Sequence, residues 1–122
     1  MAGTGTKTVA VTLTMTVTNP SNVQESKRVI QVSDVQDQAT QLFPQNITAS
    51  QADVPLALGG VTQAKWVLLE IDQEVTLKVN QNTDTGFPAK GTVLLQSESG
   101  ITAVFVTTGV NATCVNFLAV GS

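Results

Sequence analysis

The 122-residue chain contains no histidine, no tyrosine and a single cysteine, Cys114. Without histidine, neither a Ser-His-Asp nor a Cys-His catalytic arrangement can form, and a zinc site of the common Cys/His type is excluded. A lone cysteine forms no internal disulfide, and the strand-like residues around Cys114 predict a small core side chain. We therefore predict no catalytic, cofactor-binding or metal-binding residues, and no cofactor.

Charge is also scarce. Only 12% of the residues are charged, and the net charge is −3 with six basic residues. Binding to nucleic acid usually requires a basic stripe, but the sequence offers one adjacent pair, Lys27-Arg28. Threonine, glutamine, asparagine and serine supply most of the polarity, which suits close contact with other copies or subunits but also fits a secreted β-sandwich. The composition predicts protein partners and no nucleic acid.

Long hydrophobic runs are missing as well. The first six residues have neither the basic nor the apolar segment of a signal peptide. No apolar run approaches the roughly 20 residues that span a bilayer. We therefore expect synthesis in the cytoplasm and no membrane contact. Residues 1–6 are small and glycine-rich, and they predict a flexible N-terminal arm ahead of a single domain over residues 7–122.

The clearest pattern in the chain runs from Thr8 to Thr18. Every odd position is a large apolar residue, and every even position is threonine or alanine. A period of two predicts a strand, roughly 35 Å long, with one buried and one exposed face. Residues 19–22 predict a turn, and residues 27–35 a second strand. Residues 34–43 fit helical spacing or an extended segment, and we prefer the extended one.

The second half of the chain predicts further short strands with turn residues between them. The predicted turns lie at residues 72–73, 97–100 and 108–111, and Pro55 is predicted at a sheet edge. About eight strands at this spacing are typical of an antiparallel sandwich or barrel. We predict an all-β, antiparallel β-sandwich with jelly-roll-like topology, and an immunoglobulin-like topology stays open. The predicted strands cover residues 65–71, 74–80, 91–96, 101–107 and 112–120.

Three acidic residues, Glu70, Asp72 and Glu74, alternate in sequence. They would share one face of an extended segment, where carboxylate oxygens can bind Ca²⁺ or act as an acid/base pair. The alternative, which we prefer, is a solvated hairpin end that discourages edge pairing.

The single tryptophan, Trp66, has two interpretations. It is either an exposed platform that stacks on a sugar or a residue of the core or of a subunit interface. Its strand is apolar on both sides, which favours the core or the interface.

Residues 64–80, AKWVLLEIDQEVTLKVN, resemble the core hairpin of small β-sandwich virion proteins of tailed bacteriophages. Residues 101–121 resemble the closing hairpin of the same proteins. Such proteins decorate or cement a capsid or form part of the tail, and decoration proteins often sit as trimers on the capsid lattice. The resemblance implies a non-enzymatic virion protein that forms a homo-oligomer, with a trimer favoured, and binds the major capsid protein or other virion subunits.

A second functional class is a carbohydrate-binding β-sandwich module of a phage host-recognition or tail protein. Such a module needs exposed aromatic side chains in a groove. Aromatic residues make up only 4% of this chain, so we prefer the decoration or cement protein.

Overall fold

The structure is a computed structural model that describes residues 7–36, 38–40, 42–83 and 85–122. Within these residues, all regular secondary structure is β-strand, and every strand pair is antiparallel. The prediction of a single all-β, antiparallel domain is confirmed, whereas the predicted arm over residues 1–6 lies outside the described part. The strands are β1 (Lys7–Thr18), β2 (Gln24–Gln36), β3 (Gln38–Ala39), β4 (Phe43–Ile47), β5 (Val54–Pro55), β6 (Ala64–Val79), β7 (Phe87–Ile101), β8 (Val104–Thr108) and β9 (Thr113–Gly121).

The longest strand, β6, runs through the predicted turn at Asp72-Gln73. Ile71 pairs with Gly91 of β7, but the next pair is Val75 with Ala89. Three residues of β6 therefore face a single residue of β7, which is a bulge, and a bulge bends its strand. The prediction of two strands and a turn was wrong because a polar bulge and a polar turn look alike in sequence.

Strands β3 to β9 form one seven-stranded sheet. The bend in β6 curls this sheet. Before the bend β6 pairs with β9, and after it β6 pairs with β8, while β7 follows β6 on the other side. Strands β8 and β9 thus lie beside different halves of β6 and do not form the predicted closing hairpin. Side chains from both halves meet in one core, so the fold is sandwich-like. The largest fully buried side chains are Phe117, Leu69, Leu77, Ile101, Val67, Val104, Val106 and Val115.

The predicted turn at residues 97–100 is likewise part of a strand, β7. Ala64 pairs with Ile101, and Trp66 pairs with Gln96. Four residues of β7 therefore lie opposite one residue of β6. Within this bulge Gly100 has a φ of 97°, which residues with a Cβ rarely adopt. This turn prediction was wrong for the same reason as the first.

The described part of residues 34–43 and the segment around Pro55 are extended. In the described part of residues 34–43, the backbone forms strand or irregular structure and no helix. Strand β5, which contains Pro55, pairs with β8 alone in the described sheet and lies at its edge. Both predictions are confirmed, and the edge position suits a proline because it lacks a backbone N–H.

Strands β1 and β2 form a separate two-stranded ribbon. The predicted strand from Thr8 and the turn after it are confirmed, and the Asn19 side chain accepts hydrogen bonds from the backbone N–H groups of Ser21 and Val23 at 2.9 and 3.0 Å. The predicted buried face is wrong for most of its length, because Leu13 is 45% and Met15 71% exposed.

A steric test of this fold is available at the chain end. A Cβ added to Gly121 would overlap the carbonyl oxygen of Gln63 and lie 2.7 Å from the Cα of Ala64, both backbone atoms. We expect Gly121→Ala to lower the free energy of unfolding by about 1–3 kcal/mol, measured by urea denaturation. The matched control is Gly109→Ala, where an added Cβ has nothing within 4 Å. Equal stability of the two variants would contradict the described packing of β9.

Candidate functional site

The outer face of the curled sheet carries an apolar patch. In β6, Val67 and Leu69 point into the core, while Trp66 and Leu68 point outward and are half-buried. The register places Leu68 beside Leu94 of β7 and Leu118 of β9. We call Trp66, Leu68, Leu94 and Leu118 the outer patch.

The ribbon lies over the outer patch at one end. Residues 9–13 of β1 and the outer patch line a cavity of about 280 Å³. Val9, Val11 and Val32 of the ribbon are half-buried, whereas the residues nearer the turn are exposed. The contact is therefore apolar, confined to the base of the ribbon, and incompletely packed.

Trp66 belongs to this contact. It is half-buried beneath the ribbon, and its indole Nε1 is buried without a hydrogen-bond partner among the described residues. The side chain is neither a residue of the sheet core nor an exposed stacking platform. The interface that it occupies lies within one chain, between the ribbon and the sheet.

A polar contact marks the base of the ribbon. The side chain of Gln36, only 7% exposed, donates from Nε2 to the Asp34 carboxylate at 2.6 Å. This hydrogen bond and a second one from the backbone N–H of Val35 lower the pKa of Asp34, and the Lys65 charge and the nearby Trp66 indole contribute less. The carboxylate is thus held in its charged form where β2 approaches the sheet.

The rest of the ribbon presents apolar side chains to solvent. Of the eleven large hydrophobic residues exposed in the described part of the chain, six lie in the strands of the ribbon and a seventh, Val23, lies in the turn that joins them. They occur on both faces, since Met15 and Ile30 point to one side and Val29 and Val35 to the other. Exposed apolar side chains that cluster in this way are typical of interaction sites. The seven residues are Leu13, Met15, Val17, Val23, Val29, Ile30 and Val35.

The ribbon has no strand beyond its own two within the part of the chain that is described. An isolated two-stranded hairpin is only marginally stable in water. Contact with another protein would stabilise it by burying its apolar residues and pairing its edges. The ribbon is therefore the candidate functional site.

Of the three carboxylates of β6, Glu70 precedes the bulge, whereas Asp72 and Glu74 lie within it. Asp72 Oδ1 accepts a hydrogen bond from the backbone N–H of Cys114 at 2.9 Å, so its role is structural. Glu70 and Asp72 line an open pocket of about 490 Å³, but Glu74 does not. Residues 7–36, 38–40, 42–83 and 85–122 contain no group of three metal-binding side chains suited to an ion. The predicted hairpin end at these carboxylates is wrong, because β6 is continuous there.

Cys114 is half-buried on the outer side of β9, beside the same pocket. Its neighbour Val115 points into the core and is fully buried. The prediction of a core cysteine was wrong by one position, since successive strand residues point to opposite faces. The described residues contain no helix that could cross a membrane.

Comparison of the chain with protein-family models, with curated proteins and with solved structures found no match in any of the three. The function is therefore inferred from the residues and contacts described above.

The role of Asp72 can be tested by unfolding. We expect Asp72→Ala to lower the free energy of unfolding by about 1 kcal/mol, because it leaves the Cys114 N–H without its acceptor at the bend of β6. Thermal denaturation checks this. The matched control is Glu70→Ala, another exposed carboxylate of the same strand, which should change stability by less than about 0.5 kcal/mol. A reversed order would mean that the hydrogen bond does not hold the bend.

The stability of the folded ribbon should depend on pH through Asp34 at its base. Since the pKa of Asp34 is lowered, the charged carboxylate stabilises the folded ribbon above the ordinary pKa, and this contribution is lost as the pH falls through the folded value. We expect Gln36→Leu to raise the pKa of Asp34 towards its ordinary value, measured by NMR titration. Gln31→Leu, elsewhere in β2, should leave it unchanged. An unaltered pKa in the Gln36 variant would refute the contact.

Proposed function

We propose that this protein is a non-enzymatic structural subunit of a bacteriophage virion, which decorates or cements the capsid by protein–protein contacts. The observation that carries the proposal is the ribbon, with its exposed apolar side chains on two faces. A projecting two-stranded arm of this kind reaches across a neighbouring subunit, and strand edges pair readily with other strands.

The virion as location comes from the sequence resemblance of residues 64–80 and 101–121, which is a likeness of residue pattern alone because neither segment folds as a hairpin. The low charge of the chain supports it, since only 12% of residues are charged and weakly charged surfaces repel neighbouring subunits little. The proposed partners are the major capsid protein or other virion subunits, together with further copies of this chain. The resemblance by itself implies a trimer, whereas the edge of the ribbon favours the two-fold contact between copies that is proposed below.

The carbohydrate-binding alternative would have to depend on the exposed Phe43 and Phe87. Trp66, the side chain best suited to stack on a sugar, lies half-buried beneath the base of the ribbon. We therefore retain the structural subunit as the proposed function.

The proposal predicts capsid binding through the ribbon. Capsid shells assembled from the major capsid protein of the same genome should co-sediment with the protein. Val29→Asp should weaken this binding about tenfold or more, because a charge enters a buried contact. Val29 is 45% exposed on the face of the ribbon that carries the threonines of β1.

The control is Val110→Asp, which makes the same change at a valine that is 89% exposed in the loop before β9. It should bind shells as the wild type does. No co-sedimentation of the wild-type protein, or equal loss in both variants, would contradict the proposal.

A further inference from the structure

The outer edge of β1 is unusually open to pairing. From Thr8 to Thr18 the strand has no charged residue and no proline. Its pairing with β2 is regular from Lys7 to Val17, and the register shifts only at the last step. Proteins usually protect an edge strand with charge, proline or a bulge, and over this length β1 has none of these.

The other edge of the ribbon is protected. Strand β2 carries four charged residues along its length. Charges of both signs on an edge strand discourage pairing with another strand. The two edges of one ribbon thus differ, and β1 is the edge suited to a partner. The four residues are Glu25, Lys27, Arg28 and Asp34.

We propose that β1 pairs with β1 of a second copy of this chain, antiparallel and about a two-fold axis at Leu13. The pairing joins two ribbons into one four-stranded sheet. It pairs the backbone groups on the edge of each β1 that has no neighbouring strand among the described residues, and a two-fold contact uses the same surface on both copies. Centring on Leu13 pairs Thr8 with Thr18 of the partner subunit and uses the whole uncharged segment.

The alternation of β1 fits this pairing. About a two-fold axis at Leu13, Met15 lies opposite Val11 of the partner subunit, and Val17 lies opposite the partner's Val9. Directly paired residues point to the same face of a sheet, so apolar side chains meet apolar side chains. Each threonine likewise meets a residue of its own small, uncharged kind, and no like charges are brought together.

The same geometry covers the exposed residues of the arm. Val9 and Val11 line the cavity against the outer patch of their own chain. A neighbouring β1 places its Met15 and Val17, which are 71% and 48% exposed, beside these two residues and over the same outer patch. The proposed occupant therefore extends the apolar contact that each chain already makes incompletely with itself.

The pairing offsets the two chains along the joined ribbons. Val9 of one chain and the partner's Val9 are separated by eight residues along the strand direction, roughly 26 Å. The two curled sheets then lie side by side on the apolar side of the joined ribbons. The threonine-bearing side, with Val29 and Val35, stays free for another subunit. The contact between copies does not depend on which assembly the protein joins.

Cysteine cross-linking tests the pairing directly. In a Cys114→Ser background, Leu13→Cys should form an intermolecular disulfide under mild oxidation, because directly paired strand residues lie within disulfide reach. The control is Gln31→Cys in β2, at the position that pairs with Thr12 of β1. Two copies of Gln31 would be three strand spacings apart, roughly 14 Å, and should not cross-link.

Charge substitution tests the edge without touching the apolar face. Thr12→Glu with Thr14→Glu places glutamate opposite glutamate across the axis and should weaken dimerisation about tenfold. The corresponding Lys pair should do the same, and an equimolar mixture of the two variants should restore a dimer. The control, Gln31→Glu with Ser33→Glu, adds equal charge to the same face of β2 and should leave dimerisation unchanged. Light scattering gives the mass against the 12.7 kDa chain.

A dimer with selective cross-linking at residue 13 and rescue in the mixture would support the inference. A monomer at all concentrations, a trimer, or a dimer that is insensitive to charge on β1 would overturn it. These measurements use the isolated protein, so their outcome is distinct from that of the capsid-binding assay.

Discussion

The bulge at residues 72–74 allows one strand, β6, to belong to both halves of the curled sheet. Because β6 bends there, β9 pairs before the bend and β8 after it. Leu69 and Leu77, on either side of the bend, consequently enter one core. The Asp72 carboxylate binds the Cys114 backbone where β9 starts, so an acidic side chain that resembles part of a site instead holds the geometry on which the core depends.

The sheet also has a second apolar surface. Three side by side strands, β7, β6 and β9, place leucines on the outside as well as the inside. The base of the ribbon covers this outer patch only in part and leaves a cavity of about 280 Å³. The ribbon is longer than the surface beneath it, so the apolar residues near its turn have no partner within the described chain. This excess of apolar surface over what one chain covers is the observation behind the proposed interaction with other subunits.

The sequence predicts strands well where β-branched and polar residues alternate, as they do in β1. It fails at Asp72 and at residues 97–100, because polar residues and glycine occur in bulges as well as in turns. Only the register of the neighbouring strand distinguishes a bulge from a turn. The candidate site shows the same division. The alternation of threonine with apolar residues predicts a long strand at residues 8–18, but it does not predict that the strand is exposed. Alternation shows which side chains share a face and not whether anything lies against that face.

The sequence by itself determined the all-β class, the position of the first hairpin and the exclusion of histidine-dependent chemistry, since each follows from residue type and local spacing. Only the tertiary structure decided that β6 is one bent strand, that Trp66 lies beneath a ribbon, and that Met15 and its neighbours are exposed. These features depend on pairing between residues far apart in the chain. Local sequence leaves such pairing open, because the same alternating strand is stable against any complementary apolar surface.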